Sequence, residues 1–321
     1  MKALVVVLAA LLTLTACTDT WSGPVRTRTV ATDVRGRVHD IVFVNDTLGF
    51  ACGGERYTTT FILRTRDGGS TWQTVLDEDR TGLYALDFFD AQRGVVCGYS
   101  GLVYRTEDGG STWQRWQHDS YDFMQSVRMI DTTRFILYAG EGFQEGTVHY
   151  PTTPDWFFLE RAPLEPSLTC DHRFTDGELL TAGYGAMFRS TDGGATWTPL
   201  DVRGDFYLDM DFSADDVTGL VCGFDGSILR TTDRGQTWQT VQNTDRAFSS
   251  RQRFYAIDLA PGGWAVVAGE GDDVLVSNDD GRSFQVLERD VSSNWFSVSW
   301  AGPGRFFLGG EDGLLVEVSL D

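Results

Sequence analysis

The sequence predicts an all-β protein: a seven-bladed β-propeller of four-stranded antiparallel blades, closed by an N-terminal strand that completes the last blade. Three observations carry this. A nine-residue stretch, Arg64-Thr65-Arg66-Asp67-Gly68-Gly69-Ser70-Thr71-Trp72, recurs at Arg105 to Trp113, Arg189 to Trp197, Arg230 to Trp238 and, more loosely, Val276 to Phe284. Its aspartates (Asp67, Asp108, Asp192, Asp233, Asp279) lie 41, 84, 41 and 46 residues apart, a period that means small units stacked on one another. Between copies the chain alternates short apolar runs with Gly/Asp/Ser turns, and helical periodicity is nowhere sustained past the first residues. The double-length gap predicts a worn copy near residue 150, where His149-Tyr150-Pro151-Thr152-Thr153-Pro154-Asp155-Trp156 stands.

From the start of the chain, Met1-Lys2 and the apolar run Ala3 to Leu14 read as an export signal, too brief to span a bilayer. Leu14-Thr15-Ala16-Cys17 matches a lipobox, so residues 1–16 are expected to be removed and Cys17 acylated as a membrane anchor, leaving 17–321 as one propeller domain. One clean unit then reads Leu83 to Phe89, Gly94 to Tyr99, Leu102 to Thr106, the repeated motif, and Thr112 to Trp116: four strands. Gly-rich hinges before the third strand, from Gly53-Gly54 to Gly310-Glu311-Asp312-Gly313, number seven. The seventh unit stops one strand short after Ser319, while Val25-Arg26-Thr27-Arg28-Thr29-Val30 is unassigned at the other end. Ring closure by this segment removes a bare sheet edge.

Within the motif, Asp is expected to accept hydrogen bonds from backbone N–H groups ahead of it, and Gly to supply the positive φ of a tight reversal. Of the later cysteines, Cys52, Cys97 and Cys222 share one repeat slot with Ala139, Ala182 and Ala268, which marks a small core position. Together with Cys170 they are expected to remain free thiols. No Cys/His spacing suits zinc, and neither metal nor cofactor is expected. Charge is lopsided, 46 acidic against 26 basic residues for a net −20, which disfavours nucleic acid as a partner. Lys2 is the one lysine, so after signal removal every Lys/Arg position is Arg.

The motif resembles the Asp-box, or BNR repeat, S/T-x-D-x-G-x-T-W. With the lipobox, the seven units and the R-T-x-D-G-G-x-T-W wording, the chain resembles the photosystem II stability/assembly-factor-like group of BNR propellers over its whole mature length. The resemblance implies boxes that are structural rather than catalytic. It also implies a non-enzymatic assembly role through an arginine-rich face, a point on which this acidic chain departs from the group.

Propellers bind at the ends of the central channel, where inner strands begin. Tyr84, Phe123, Tyr207, Tyr255 and Trp295 stand at those beginnings and form a candidate ring for a peptide or sugar face, with ordinary inter-blade packing as the alternative. Arg246, Arg251 and Arg253 concentrate positive charge in a lengthened loop before the sixth unit, and residues 142–166 replace the third box with aromatic and Pro-rich sequence. The expected function is a non-catalytic, membrane-tethered, monomeric binding propeller with a protein partner, or a glycan. The alternative is a glycoside hydrolase of sialidase or xyloglucanase type. Sialidase-type chemistry needs three Arg gripping a carboxylate, a Tyr nucleophile paired with Glu and an Asp acid, whereas xyloglucanase-like chemistry needs two opposed carboxylates across a cleft; Asp40, Asp171 and Asp209 are the carboxylates expected to face the channel.

Overall fold

The computed structural model describes residues 21–118, 121–141, 146–151, 159–202, 204, 206–242 and 252–320. These form seven four-stranded antiparallel sheets, each taken in chain order from the inner strand outward. Six are contiguous: blade one spans 37–78, two 83–117, three 124–163, four 168–200, five 207–242 and six 254–286. Blade seven takes three strands from 297–320 and its outermost from Val25–Val30. That strand runs antiparallel to Leu315–Leu320, from Val25 opposite Leu320 to Val30 opposite Leu315. Arg28 Nε donates to Glu317 Oε2 at 2.6 Å across the seam. The ring closes as expected, with the N-terminal strand covering the third strand of blade seven.

Burial follows radial position. Second strands such as Gly94–Gly98, Phe135–Gly140 and Gly219–Gly223 are buried at every residue because both of their faces pack on neighbouring blades. Fourth strands such as Gln114–Gln117 are largely exposed. The core is accordingly divided, with an apolar cluster in each gap between successive blades. Phe50, Leu83, Val96 and Tyr104 fill the gap between blades one and two, and Val38, Phe61, Phe307 and Leu315 that between seven and one. Cys52, Cys97 and Cys222 are buried free thiols in the second-strand slot that also holds Ala182 and Ala268, as expected, but the register puts Tyr138 and not Ala139 in that slot of blade three; Cys170, also buried and free, stands on an inner strand.

The repeated motif forms the hairpin between third and fourth strands. In blade one, Asp67 Oδ1 accepts the Thr71 N–H at 2.9 Å, and Oδ2 accepts the Thr71 hydroxyl at 2.6 Å. Thr65 Oγ1 donates to Asp67 and accepts the Gly69 N–H, both at 2.8 Å. The same bonds recur around Asp108, Asp192, Asp233 and Asp279. The Thr71 hydroxyl and N–H hold the Asp67 carboxyl down at about 2, and the Thr112 and Thr196 contacts do the same for Asp108 and Asp192.

Each box also locks its blade to the preceding one. Gly69, at φ +88°, lies so close to Phe307 of blade seven that a Cβ would come within 2.2 Å of its ring. Gly110 stands likewise against Phe50 of blade one, at 2.4 Å. From the preceding blade a third-strand arginine reaches the box: Arg64 donates to Gly109 O at 3.0 Å, Arg230 to Asp280 O at 2.7 Å, and Arg189 to Arg234 O. Arg305 donates to Gly68 O at 2.6 Å across the closure. In blade three Tyr150 holds the arginine's register position, and its hydroxyl donates to Gly194 O of blade four's box at 2.6 Å. The worn box expected there falls largely on residues 152–156, outside the described residues.

Candidate functional site

Since blades are meanders, inner strands start at one face of the disc, with the loops between second and third strands, and the Asp-boxes lie at the other. At the first face the sheets share an irregularity. In blades one to six the register between first and second strands slips by one residue near the strand's start, at its second position in blades two to six and its third in blade one. A bulge leaves that residue unpaired and re-aims its side chain. His39, Tyr84, Gln125, Thr169, Leu208 and Tyr255 occupy the bulges, and Phe296 occupies the matching place in blade seven. All seven line a central cavity of about 240 Å³.

An aromatic collar surrounds this opening. Tyr84 stacks on His39, with centroids 4.1 Å apart, and meets Phe123 edge-on at 4.5 Å. Phe296 packs on His39 and on Tyr255, at 5.9 and 5.3 Å. The collar continues outward through Tyr99, on Phe123 at 5.4 Å, to Tyr57, which is 64% exposed. On the opposite rim Tyr184, Phe206 and Phe224 form a second run. Guanidinium groups cover both: Arg56 lies 4.3 Å from the Tyr99 ring, Arg37 4.9 Å from Phe296 and Arg253 4.0 Å from Phe224. Burial and the nearby Arg37 charge hold His39 down at about 3, so the ring is a neutral member of the collar at physiological pH.

Of the sequence-predicted site residues, Tyr84, Phe123 and Tyr255 stand at this mouth and Arg253 on its rim. Tyr207 and Trp295 do not; both are fully buried in the core. Tyr207 is the first residue of its inner strand and Trp295 lies two residues ahead of Ser297–Gly302; both pack between blades, and the mouth aromatics beside them are Phe206 and Phe296. Arg246 and Arg251 lie outside the described residues, as does Cys17. Sequence reasoning missed His39, Phe296, Arg37 and Arg56. Aligning the inner strands on the bulge would have found the first two.

Below the collar the cavity is lined by carboxylates, and they have structural partners. Asp40 accepts the Leu86 N–H at 2.8 Å, Asp87 that of Met129 at 2.6 Å, Asp209 that of Ile257 at 2.8 Å, Asp211 that of Leu259 at 2.9 Å and Asp258 that of Trp300 at 2.7 Å. Each donor belongs to the inner strand of the following blade, so the carboxylates stitch neighbouring blades together. Asp171 accepts from Ser126 Oγ at 2.6 Å and from Arg128 Nε at 2.8 Å, and Arg128 also reaches Asp87 at 3.4 Å. Burial drives Asp40 up to about 7 and raises Asp87, while Asp209 and Asp258 rise well above the carboxylate range. Asp258 also shares a hydrogen bond with Asp211. Among the cavity-lining residues Arg128 is the sole arginine, and its ion pairs occupy it, so the arginine triad of sialidase chemistry has no counterpart in the lining.

The profile of "Photosynthesis system II assembly factor YCF48" matches residues 22–121, and that of the "BNR/Asp-box repeat" matches residues 188–199. The chain is an Asp-box propeller resembling the YCF48 assembly factors. Two curated relatives, both "Photosystem II assembly lipoprotein Ycf48", come from Synechococcus sp. (strain CC9902) and from Prochlorococcus marinus. Each is 23% identical over 291 residues, covering 86% of this chain and 71% or 69% of the relative. Among solved structures, "YCF48 bound to D1 peptide" superposes with a TM-score of 0.69 at 18% identity, covering 94% of this chain and 96% of that one. YCF48 from Cyanidioschyzon merolae gives 0.68 at 16% identity, covering 91% and 98%. The WD40 propeller domain of Doa1 gives 0.69 at 16% identity, covering 94% and 98%, so the superpositions speak to the fold alone.

Proposed function

We propose that the chain is a membrane-tethered, non-catalytic propeller that captures an extended peptide segment of a protein partner at its aromatic channel mouth. The observation that carries this reading is the continuous collar of His39, Tyr84, Phe123, Tyr255 and Phe296 with arginines on its rim. Such rings offer large amphipathic contact area, and guanidinium groups supply donors for peptide carbonyls or acidic side chains. The carboxylates beneath are engaged in holding blades together, which supports a binding rather than a hydrolytic role. The relatives named as assembly lipoproteins, and a neighbour solved with a peptide, support the same class of function and the Cys17 anchor.

The test is selection from a random peptide library on the immobilised mature chain, followed by titration of the enriched peptides. Tyr84→Ala and Phe296→Ala should each weaken binding by about thirtyfold, the loss of an anchor aromatic worth about 2 kcal/mol. Failure to enrich any peptide, or enrichment indifferent to both variants, overturns the reading. Turnover of aryl glycosides that Asp209→Asn abolishes would favour the hydrolase instead.

A further inference from the structure

Where the chain enters the disc fixes which way the disc faces. The Val25–Val30 strand runs antiparallel to Leu315–Leu320, and Val25 sits opposite Leu320, at the Asp-box end. The residues before it therefore emerge on the face opposite the aromatic mouth. Trp21 confirms this by contact: its carbonyl accepts from Gln285 Nε2 at 2.6 Å, just beyond the sixth box, and its ring meets Trp264 edge-on at 6.2 Å. Trp264 opens the second strand of blade six, and its ring packs beside that of Trp300 at 6.3 Å. All three tryptophans are part-exposed. They make an indole corner at the rim of the Asp-box face.

We infer that this corner, made by Trp21, Trp264 and Trp300, rests on the head-group layer of the membrane that holds the chain, so that the aromatic mouth looks away from the bilayer. The inference rests on the Cys17 anchor. Only four peptide steps separate Cys17 from Trp21, a reach of roughly 14 Å when fully extended. Acyl chains at Cys17 thus hold the indole corner near the lipid surface, whereas the mouth lies farther by an inner strand, roughly 20 Å for six residues. Indole rings favour the membrane–water interface, being apolar in body with an N–H at one edge; the Trp300 N–H is taken by Asp258 O at 3.1 Å, so that ring adds apolar area alone. The acidic surface sets the lipid chemistry: at net −20 the chain is repelled by anionic head groups, so the seat is a zwitterionic one held by the indoles and the acyl chains.

The test uses the full-length lipoprotein reconstituted in phosphatidylcholine vesicles containing an acceptor dye on a lipid head group. The four other cysteines are buried and an acylated Cys17 has no free thiol, so one introduced cysteine carries the donor. Pro261→Cys places it in the exposed turn before Trp264, and Tyr57→Cys places it on the mouth rim. The expected result is several-fold greater energy transfer from position 261 than from position 57, with the difference narrowed in a Trp21→Ala/Trp264→Ala background. Equal transfer, or greater transfer from position 57, overturns the orientation. A chain whose intact mass lacks acyl groups and which fails to float with the vesicles overturns the anchor itself, a distinct failure. A lipid-free dimer that protects position 261 would assign the corner to a second copy and overturn the inference.

Discussion

At the scale of the residue, the box glycine and the channel aspartate do unlike work. Gly69 combines a left-handed backbone with contact on Phe307, so Gly69→Ala brings both strain and overlap. It is expected to destabilise the protein by about 2–4 kcal/mol, read as a lowered midpoint in denaturant. The aspartates set the pH dependence. Asp67, Asp108 and Asp192 are depressed to about 2, so their contribution is present above the ordinary carboxylate pKa and is lost as pH falls toward 2. Asp40 is raised to about 7, so it favours the fold while protonated, and that contribution is lost as pH climbs from the ordinary value toward 7. Stability should therefore peak at mildly acidic pH, roughly 4–5. Asp40→Asn keeps an oxygen for the Leu86 N–H and should flatten the decline toward neutrality in thermal melts; an unchanged slope would remove Asp40 from the account.

At the scale of the element, the sequence displays the blades but conceals how they aim their side chains. The Asp-box is legible because its turn needs Asp, Gly and Thr at fixed offsets, and every bond expected of it forms. That the leading arginine reaches across to the next blade's box was not legible, because the partner is a backbone carbonyl with no residue signature. Blade three shows the consequence, since Tyr150 performs the reach with a hydroxyl. Tyr150→Phe should cost about 1 kcal/mol, measured by urea unfolding, as expected for one neutral hydrogen bond. The inner strands misled for a related reason. Tyr207 stands in an apolar run whose alternation does not reveal a bulge one residue on, and the bulge turns Tyr84, Tyr255 and their equivalents into the mouth while Tyr207 packs between blades; Trp295, just ahead of its inner strand, is buried likewise.

At the scale of the whole molecule, the N-terminal strand joins three properties. It closes the ring, covers the third strand of blade seven, and brings the chain in on the face opposite the collar. Seven blades were legible from the spacing of hinges, and closure followed from a missing strand at one end and a spare one at the other. The face proposed to bind was legible only in part, since it assembles from residues one per blade that have no common type. The most direct measurement of peptide capture at the mouth is amide hydrogen exchange of the mature chain with and without a library-selected peptide. Slowed exchange is expected at the beginnings of the inner strands, around Tyr84, Tyr255 and Phe296, with unchanged exchange in the Asp-box hairpins. Protection confined to the hairpins, or to the outer strands, would contradict it.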